Sequence, residues 1–571
     1  MDKAQISGVL EEIGTLLELK GENPFKSRAY HNASRIVLGL DQDLVALVEK
    51  KELTTIKGIG EAIAEKITSL VTTGKLPYYE ELQKSLPPGL MDLIRIQGLG
   101  PKRAKILYDK LKIKDIPGLE KACHEGKIAK LEGFGEKTQE NILKGLAFLS
   151  QHSEQHRYDD ALAAAESVLA ELKNVPGIKR MSICGSLRRH KEIVRDVDVL
   201  VSAKDGGSVL KCFTQLPQVE RILGQGETKA SVLLKDGIQV DVRVLEDKLF
   251  PFALHYFTGS KEHNIAMRQR AISRGWKLSE YGLLDKGGKL IPCKEEADIF
   301  KKLGLEAIPP EMREDHGEIE AAEKGKLPKL IEPKDIRGVF HVHSTWSDGR
   351  APLEAMVAEA ERLGWEYVGI SDHSKSAAYA KGLTIERVKQ QRIEIEKLRK
   401  KFKIHIFWGT ECDILKDGSL DYPDKVLADY DFVIASVHSN FTMPEPEMTQ
   451  RIVAALKNKY VTILGHMTGR LLLERDGYAV DQLQVIRAAA DLGVAIELNA
   501  SPHRFDLDWR LLPKAKEYGV KISINPDAHS VEGLHVVPFG VGIARKGWLS
   551  KEDIFNALPL ARMTTTLKSR R

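Results

Sequence analysis

Residues 338–349 read GVFHVHSTWSDG, and every later apolar run that looks like a β-strand ends in another potential metal ligand. The runs are YVGISDHS (367–374) with His373, IFWGTECD (406–413) with Glu411, FVIASVHS (432–439) with His438, VTILGHMT (461–468) with His466, and KISINPDAHS (521–530) with Asp527 and His529. Amphipathic stretches such as PLEAMVAEAERLG (352–364) and IVAALKNKY (452–460) lie between them. Strands alternating with helices predict a parallel sheet, closed or doubly wound, and in a β/α barrel the catalytic groups sit where strands end. A lone histidine is more often a hydrogen-bonded structural residue. Ligands repeated at one end of successive strands are hard to explain that way.

The set is His341, His343, Asp348, His373, Glu411, His438, His466, Asp527 and His529. So many imidazoles and carboxylates exceed what one ion coordinates and suggest two or three ions, with bridging carboxylates offsetting cation repulsion. Mixed N and O donors suit Mn, Zn or Fe better than Mg, and the lack of thiolates argues against a closed structural zinc site. Such a cluster lowers the pKa of a bound water and clamps a phosphate ester. On these residues the segment 336–571 resembles the PHP (polymerase and histidinol phosphatase) domain. The resemblance implies a distorted (β/α)7 barrel with a trinuclear phosphoesterase centre. Arg504, in NASPHRFD (499–506), is then either a phosphate-binding residue or a surface arginine in a loop.

At 571 residues the chain is long enough for several domains, each with its own core. It has no apolar run long enough to span a bilayer, so no membrane partner is expected. MDKAQISGVLEEIG (1–14) lacks the basic-then-apolar plan of a signal peptide, which predicts a cytoplasmic protein. The five cysteines, Cys123, Cys184, Cys212, Cys293 and Cys412, lack CxxC spacing and fit a reducing compartment. A net charge of +5 is small for this length, so the case for nucleic acid rests on local motifs.

In TTIKGIGEAIAEKITSLVTTGK (54–75), Gly58 and Gly60 make a tight turn before a helix with Ile63, Ile67 and Leu70 on one face. Glycines let such a turn approach another backbone closely, and the following helix start offers N–H donors to a phosphate. The pattern recurs in IQGLGPKRAKILYDKL (96–111), with Gly98, Gly100 and the cations Lys102, Arg103 and Lys105. LEGFGEKTQENILKGL (131–146), with Gly133 and Gly135, is a third copy. These copies resemble helix-hairpin-helix elements, which grip nucleic-acid backbones without reading sequence.

In RMSICGSLRRHKEIVRDVDVLV (180–201), alternation puts Asp196 and Asp198 on one strand face and Val197 and Val199 on the other. GIQVDVRVL (237–245) repeats the pattern around Asp241. Three close carboxylates repel unless they hold cations, and two Mg²⁺ (or Mn²⁺) ions there suit nucleotidyl transfer. Gly185 and Ser186 form a small-residue turn beside Arg188 and Arg189 that suits a triphosphate.

With YFTGSKEHNIAMRQRA (256–271), these residues resemble the nucleotidyltransferase core of family X DNA polymerases from residue 1 to about 316. The resemblance implies metal binding by Asp196, Asp198 and Asp241, and triphosphate binding by Ser186 and Arg189. It further implies a sugar-contacting turn at Tyr256, Phe257 and Gly259, and minor-groove contacts by Asn264 and Arg268. Gln239 departs from the animal polymerase beta pattern, which has an arginine there. Lys66 matches that family's Schiff-base lyase lysine, but Ala62 replaces a second lysine of that site, and a surface lysine is the alternative.

The expected order is a lyase-like domain (1–85), fingers (86–155), an α+β palm (156–250), thumb (251–316), a charged connector (317–335) and the barrel (336–571). Together these resemble the bacterial and archaeal family X polymerases with a C-terminal PHP domain. The resemblance implies a monomeric enzyme that takes gapped or primer-template DNA and dNTPs and fills short gaps in base-excision repair. It also implies Mn-dependent 3′ to 5′ exonuclease activity in the barrel, whose site takes two to three Mn²⁺ or Zn²⁺ ions. Alternatives for the barrel are abasic or 3′-blocked ends, or a metal-bound structural platform.

Overall fold

The computed structural model describes residues 1–571 apart from 2, 39, 41–42, 95, 97–98, 153 and 570–571. The chain forms two compact units, Met1–Ser153 and Glu154–Arg571. In the first, the described residues make helices around two apolar clusters, one centred on Ile13, Tyr30 and Ile67 and the other on Leu93, Leu107 and Ile142. The helix Glu61–Thr73 buries Ile63, Ile67 and Leu70, the three residues whose spacing foretold it. Gly58 and Gly133 have φ of +99° and +84°, a region only glycine enters freely.

The second unit begins with a five-stranded sheet: β1 (Ile178–Ile183), β2 (Asp196–Ala203), β3 (Val219–Gln225), β4 (Lys229–Leu234) and β5 (Gln239–Leu245), in the order β1-β2-β5-β4-β3. β2 and β5 are parallel and the other pairs antiparallel, with Asp198 in register with Asp241. Val197, Val199, Val240 and Val242 are fully or almost fully buried in the apolar core that also takes in Ala165 and Val209 of the flanking helices. The thumb follows, with Phe252, Met267 and Phe300 at its core.

Residues 317–335, expected as a charged connector, contain the helix Glu318–Glu323 and bury Ile319, Ala322 and Ile331. Glu318 sits 2.7 Å from Nδ1 of the buried His263, which staples this stretch to the thumb. Its apolar residues are too few and too widely spaced to show a period.

Seven strands then run parallel in chain order: β6 (Gly338–Val339), β7 (Tyr367–Ile370), β8 (His405–Asp413), β9 (Phe432–Ser436), β10 (Ile463–Leu464), β11 (Ala495–Asn499) and β12 (Ile522–Asn525). A parallel bridge between Val342 and Ala528 brings the last strand back to the first, so the barrel is nearly closed. Phe340, Tyr367, Phe407 and Phe432 cluster within it. A Cβ at Gly409 would meet the Phe432 ring at 2.4 Å, so the glycine makes room for the ring. One expectation fails: β11 ends in Asn499 rather than a metal ligand.

Palm and barrel meet within this second unit. The indole of Trp509 donates to Glu192 (2.9 Å), as does Arg510 (2.8 Å). The buried Lys546 ammonium donates to the Arg189 carbonyl (3.0 Å) and to Glu314 (2.5 Å).

Candidate active sites

In the palm, the parallel register of β2 and β5 brings Asp196, Asp198 and Asp241 together. Burial first, then the charges of Asp196 and Asp241, push the Asp198 carboxyl up to about 7. Burial and Asp241 raise Asp196 as well. Burial works against ionised Asp241, but hydrogen bonds from Lys229, Ser231 and Gln239 outweigh it and lower its pKa. Two carboxyls held above their ordinary range beside a third are what a cation would relieve, so the triad fits metal ions.

Gly185 has φ +62°, and a Cβ there would meet Asp198 Oδ2 at 2.4 Å. Ser186 lines a cavity of about 430 Å³ with Lys191, Arg195, Asp196 and Arg510 of the barrel. Arg189 donates to Glu314 (3.1 Å) and to the Thr258 carbonyl (2.5 Å), beside Gly259. Tyr256 and Phe257 meet edge to face, Asn264 donates to the Tyr256 carbonyl (2.7 Å), and Arg268 is exposed. Lys229 and Glu314 were not foreseen, since one faces Asp241 across an antiparallel pairing and the other arrives from the far end of the thumb.

In the barrel, Glu411 lies at the centre of the ligands. Its Oε1 faces His466 (2.9 Å) and His438 (3.2 Å), and its Oε2 faces His373 (3.0 Å), His341 (3.3 Å) and His343 (3.5 Å). Asp527 Oδ1 lies 3.4 Å from His341 and 3.3 Å from His343, while Asp348 lies 3.6 Å from His373 and 3.5 Å from His529. All nine residues foreseen therefore converge, in four overlapping groups whose ligand atoms lie within 4.8 Å of one another. Burial alone would raise Glu411, but the imidazoles of His341, His438 and His373 hold it well below the carboxylate range.

The nitrogens His341 Nε2, His343 Nδ1 and Nε2, and His373 Nδ1, with Asp348 Oδ1, are buried without hydrogen-bond partners. Buried polar atoms are rarely left so, and atoms that converge on one another fit metal ions. Several rings are turned by residues behind them. Glu497 lies 2.6 Å from His341 Nδ1 and Asp413 2.6 Å from His438 Nδ1, leaving each Nε2 for the cluster. Sequence reading missed both. Asp413 was visible in IFWGTECD, but Glu497 lies on β11, the strand without a terminal ligand. Arg504 Nε lies 3.6 Å from Asp527 Oδ2, at the cluster's edge.

In the first unit, Gly60 and Gly100 cap helix starts with no side chain covering their N–H groups, and Gly135 opens the third helix. Lys102 is exposed beside Gly100; Gly98 lies outside the described residues. Lys66 donates to the Ala62 carbonyl (2.9 Å) and lies 4.8 Å from the Tyr78 ring.

A nucleotidyltransferase sheet and a parallel barrel with a histidine-carboxylate cluster define a two-centre enzyme of nucleic acid. Family models match at 1–76 (helix-hairpin-helix domain), 90–147 (SAM-like helix-hairpin-helix tandem), 253–314 (DNA polymerase beta thumb) and 340–501 (PHP domain). The chain is 40% identical over 572 residues, all of both chains, to the DNA polymerase/3′-5′ exonuclease PolX of Bacillus subtilis. It is 27% identical over 299 residues to rat DNA polymerase lambda, covering 46% of this chain and 48% of that one. A probable phosphatase of Thermoanaerobacter sp. is 31% identical over 204 residues, 33% of this chain and 77% of its own. The chain belongs to the family X DNA polymerases that carry a C-terminal PHP domain. Its helix-hairpin-helix domains imply DNA binding, and no described helix is long and apolar enough to cross a membrane.

Proposed function

We propose that this chain is a monomeric, cytoplasmic DNA-directed DNA polymerase that fills short gaps during repair and trims 3′ ends with its barrel. The observation that carries the reading is the presence in one chain of the registered Asp198–Asp241 pair and the Glu411-centred cluster. Asp196, Asp198 and Asp241 would hold Mg²⁺ or Mn²⁺, which supplies charge to activate the primer 3′-hydroxyl and stabilise departing pyrophosphate. Ser186 and Arg189 hold the triphosphate of a dNTP, and the turn at Tyr256, Phe257 and Gly259 abuts its sugar. Asn264 and Arg268 face the minor groove of the new pair.

The nine barrel ligands would hold two or three Mn²⁺ or Zn²⁺ ions, which lower the pKa of the attacking water. Glu497 and Asp413 orient His341 and His438, and Arg504 binds the phosphate. The glycine turns and Lys102 grip the backbone of gapped or primer-template DNA. Incubating the protein with gapped and recessed DNA, with and without dNTPs, in Mg²⁺ and Mn²⁺ separately tests the reading. Extension only with dNTPs and 3′ shortening only with metal are expected. No extension in either metal would overturn it.

A further inference from the structure

The barrel's metal-ligand cluster carries an aromatic side chain at its mouth. Tyr379 is 69% exposed, yet its ring stands edge-on to two candidate ligands on different strands, 6.2 Å from His373 and 6.3 Å from His438. The turn that presents it is anchored. Ala377 and Ala380 on either side are fully buried. Ser376 donates through its N–H to Asp421 (2.7 Å) and through its hydroxyl to Asp413 (3.0 Å), the carboxylate that also orients His438. Leu383 N–H closes the loop on the His373 carbonyl (2.8 Å), and a Cβ at Gly382 would fall 1.8 Å from the Ser374 carbonyl, so the loop folds back on itself tightly. A loop fixed this firmly holds the ring at a set place against the cluster.

We propose that Tyr379 is a stacking platform for an unpaired nucleobase at the 3′ end of the strand being hydrolysed. The inference rests on the reading of the barrel as a 3′ to 5′ exonuclease. A metal cluster and Arg504 recognise a phosphate and nothing of what it is attached to. An exposed aromatic face beside them adds recognition of a base without selecting its sequence, because every base has a π-face. The substrate class so defined is a single-stranded or frayed 3′ end, rather than a small phosphomonoester or a terminus that has lost its base.

The test compares wild type, Tyr379→Ala and Tyr379→Phe in Mn²⁺ on single-stranded DNA and on two oligonucleotides lacking the base at the last or the penultimate position. Tyr379→Ala is expected to raise KM for the intact end ~10-fold, and Tyr379→Phe, which keeps the ring, to change it by less than about twofold. On one of the two abasic oligonucleotides wild type and Tyr379→Ala should coincide, because the base that stacks is gone. An unchanged KM in Tyr379→Ala, an equal loss on all three substrates, or failure of phenylalanine to restore KM would overturn the platform. Persistent 3′ hydrolysis in His343→Ala would instead overturn the barrel as the hydrolytic site, which keeps the two failures apart.

Discussion

Gly185 lacks a side chain where Asp198 needs room, and Asp198 carries a carboxyl that burial and two like charges push up to about 7. Of the three acids it is the one most in need of a cation. Asp198→Ala is therefore expected to lower dNTP incorporation on gapped DNA at least ~100-fold while leaving the fold intact; wild-type incorporation would remove the triad from the reaction. Single residues of this kind were legible because a two-residue period places Asp196 and Asp198 on one face whatever surrounds them. Lys229 was not. Its grip on Asp241 depends on how β4 registers against β5, with Ser231 rather than Lys229 directly opposite Asp241, and no local pattern states that register.

Elements were legible where they repeat and obscure where they occur once. The helix-hairpin-helix turns announced themselves by recurrence, and if they hold DNA through backbone N–H groups and cations, affinity for gapped DNA should fall steeply with salt. Lys102→Ala should flatten the log–log salt slope by about 1 without altering sequence preference; an unchanged slope in a binding titration would place the DNA elsewhere. β11 was missed because it ends in asparagine, and the helix Glu318–Glu323 because its apolar face is two residues wide.

The turn at 189–191 is held from outside itself, by Glu314 and Lys546. Burial works against the Glu314 carboxylate, but Lys546, Arg189 and Lys191 outweigh it and hold its pKa down at about 2. A depressed carboxyl contributes stability that is present above its unfolded value near 4.3 and lost as pH falls toward 2, here about 3 kcal/mol. Urea unfolding should thus show Glu314→Gln less stable than wild type at pH 6, with the gap narrowing by pH 3. A gap that stays constant would mean the carboxylate is not the source.

At the scale of the molecule, the carboxylate triad and the Glu411 cluster sit on different sheets of one compact unit, so two reactions share a body without sharing ligands. His343→Ala or Asp527→Asn is expected to abolish 3′ hydrolysis in Mn²⁺ and leave single-nucleotide gap filling largely intact, with Asp198→Ala doing the reverse. If the barrel ligands act together on one hydrolytic water, removing two should cost little more than removing one. Equal, large losses of both activities in a folded Asp527→Asn protein would merge the centres.

The seam between palm and barrel bears on how such a chain can be recombined. Glu192 has its cation and its indole partner in Arg510 and Trp509, and Glu314 has Lys546, all three contributed by the other half. A chimera that kept this palm and took a barrel from a donor lacking those three side chains would leave Glu192 without either partner and Glu314 with only Arg189 and Lys191 of the palm at a newly mismatched joint. Viable crossovers are thereby confined to donors that carry equivalents of these side chains, or to joints that rebuild the seam along with the barrel.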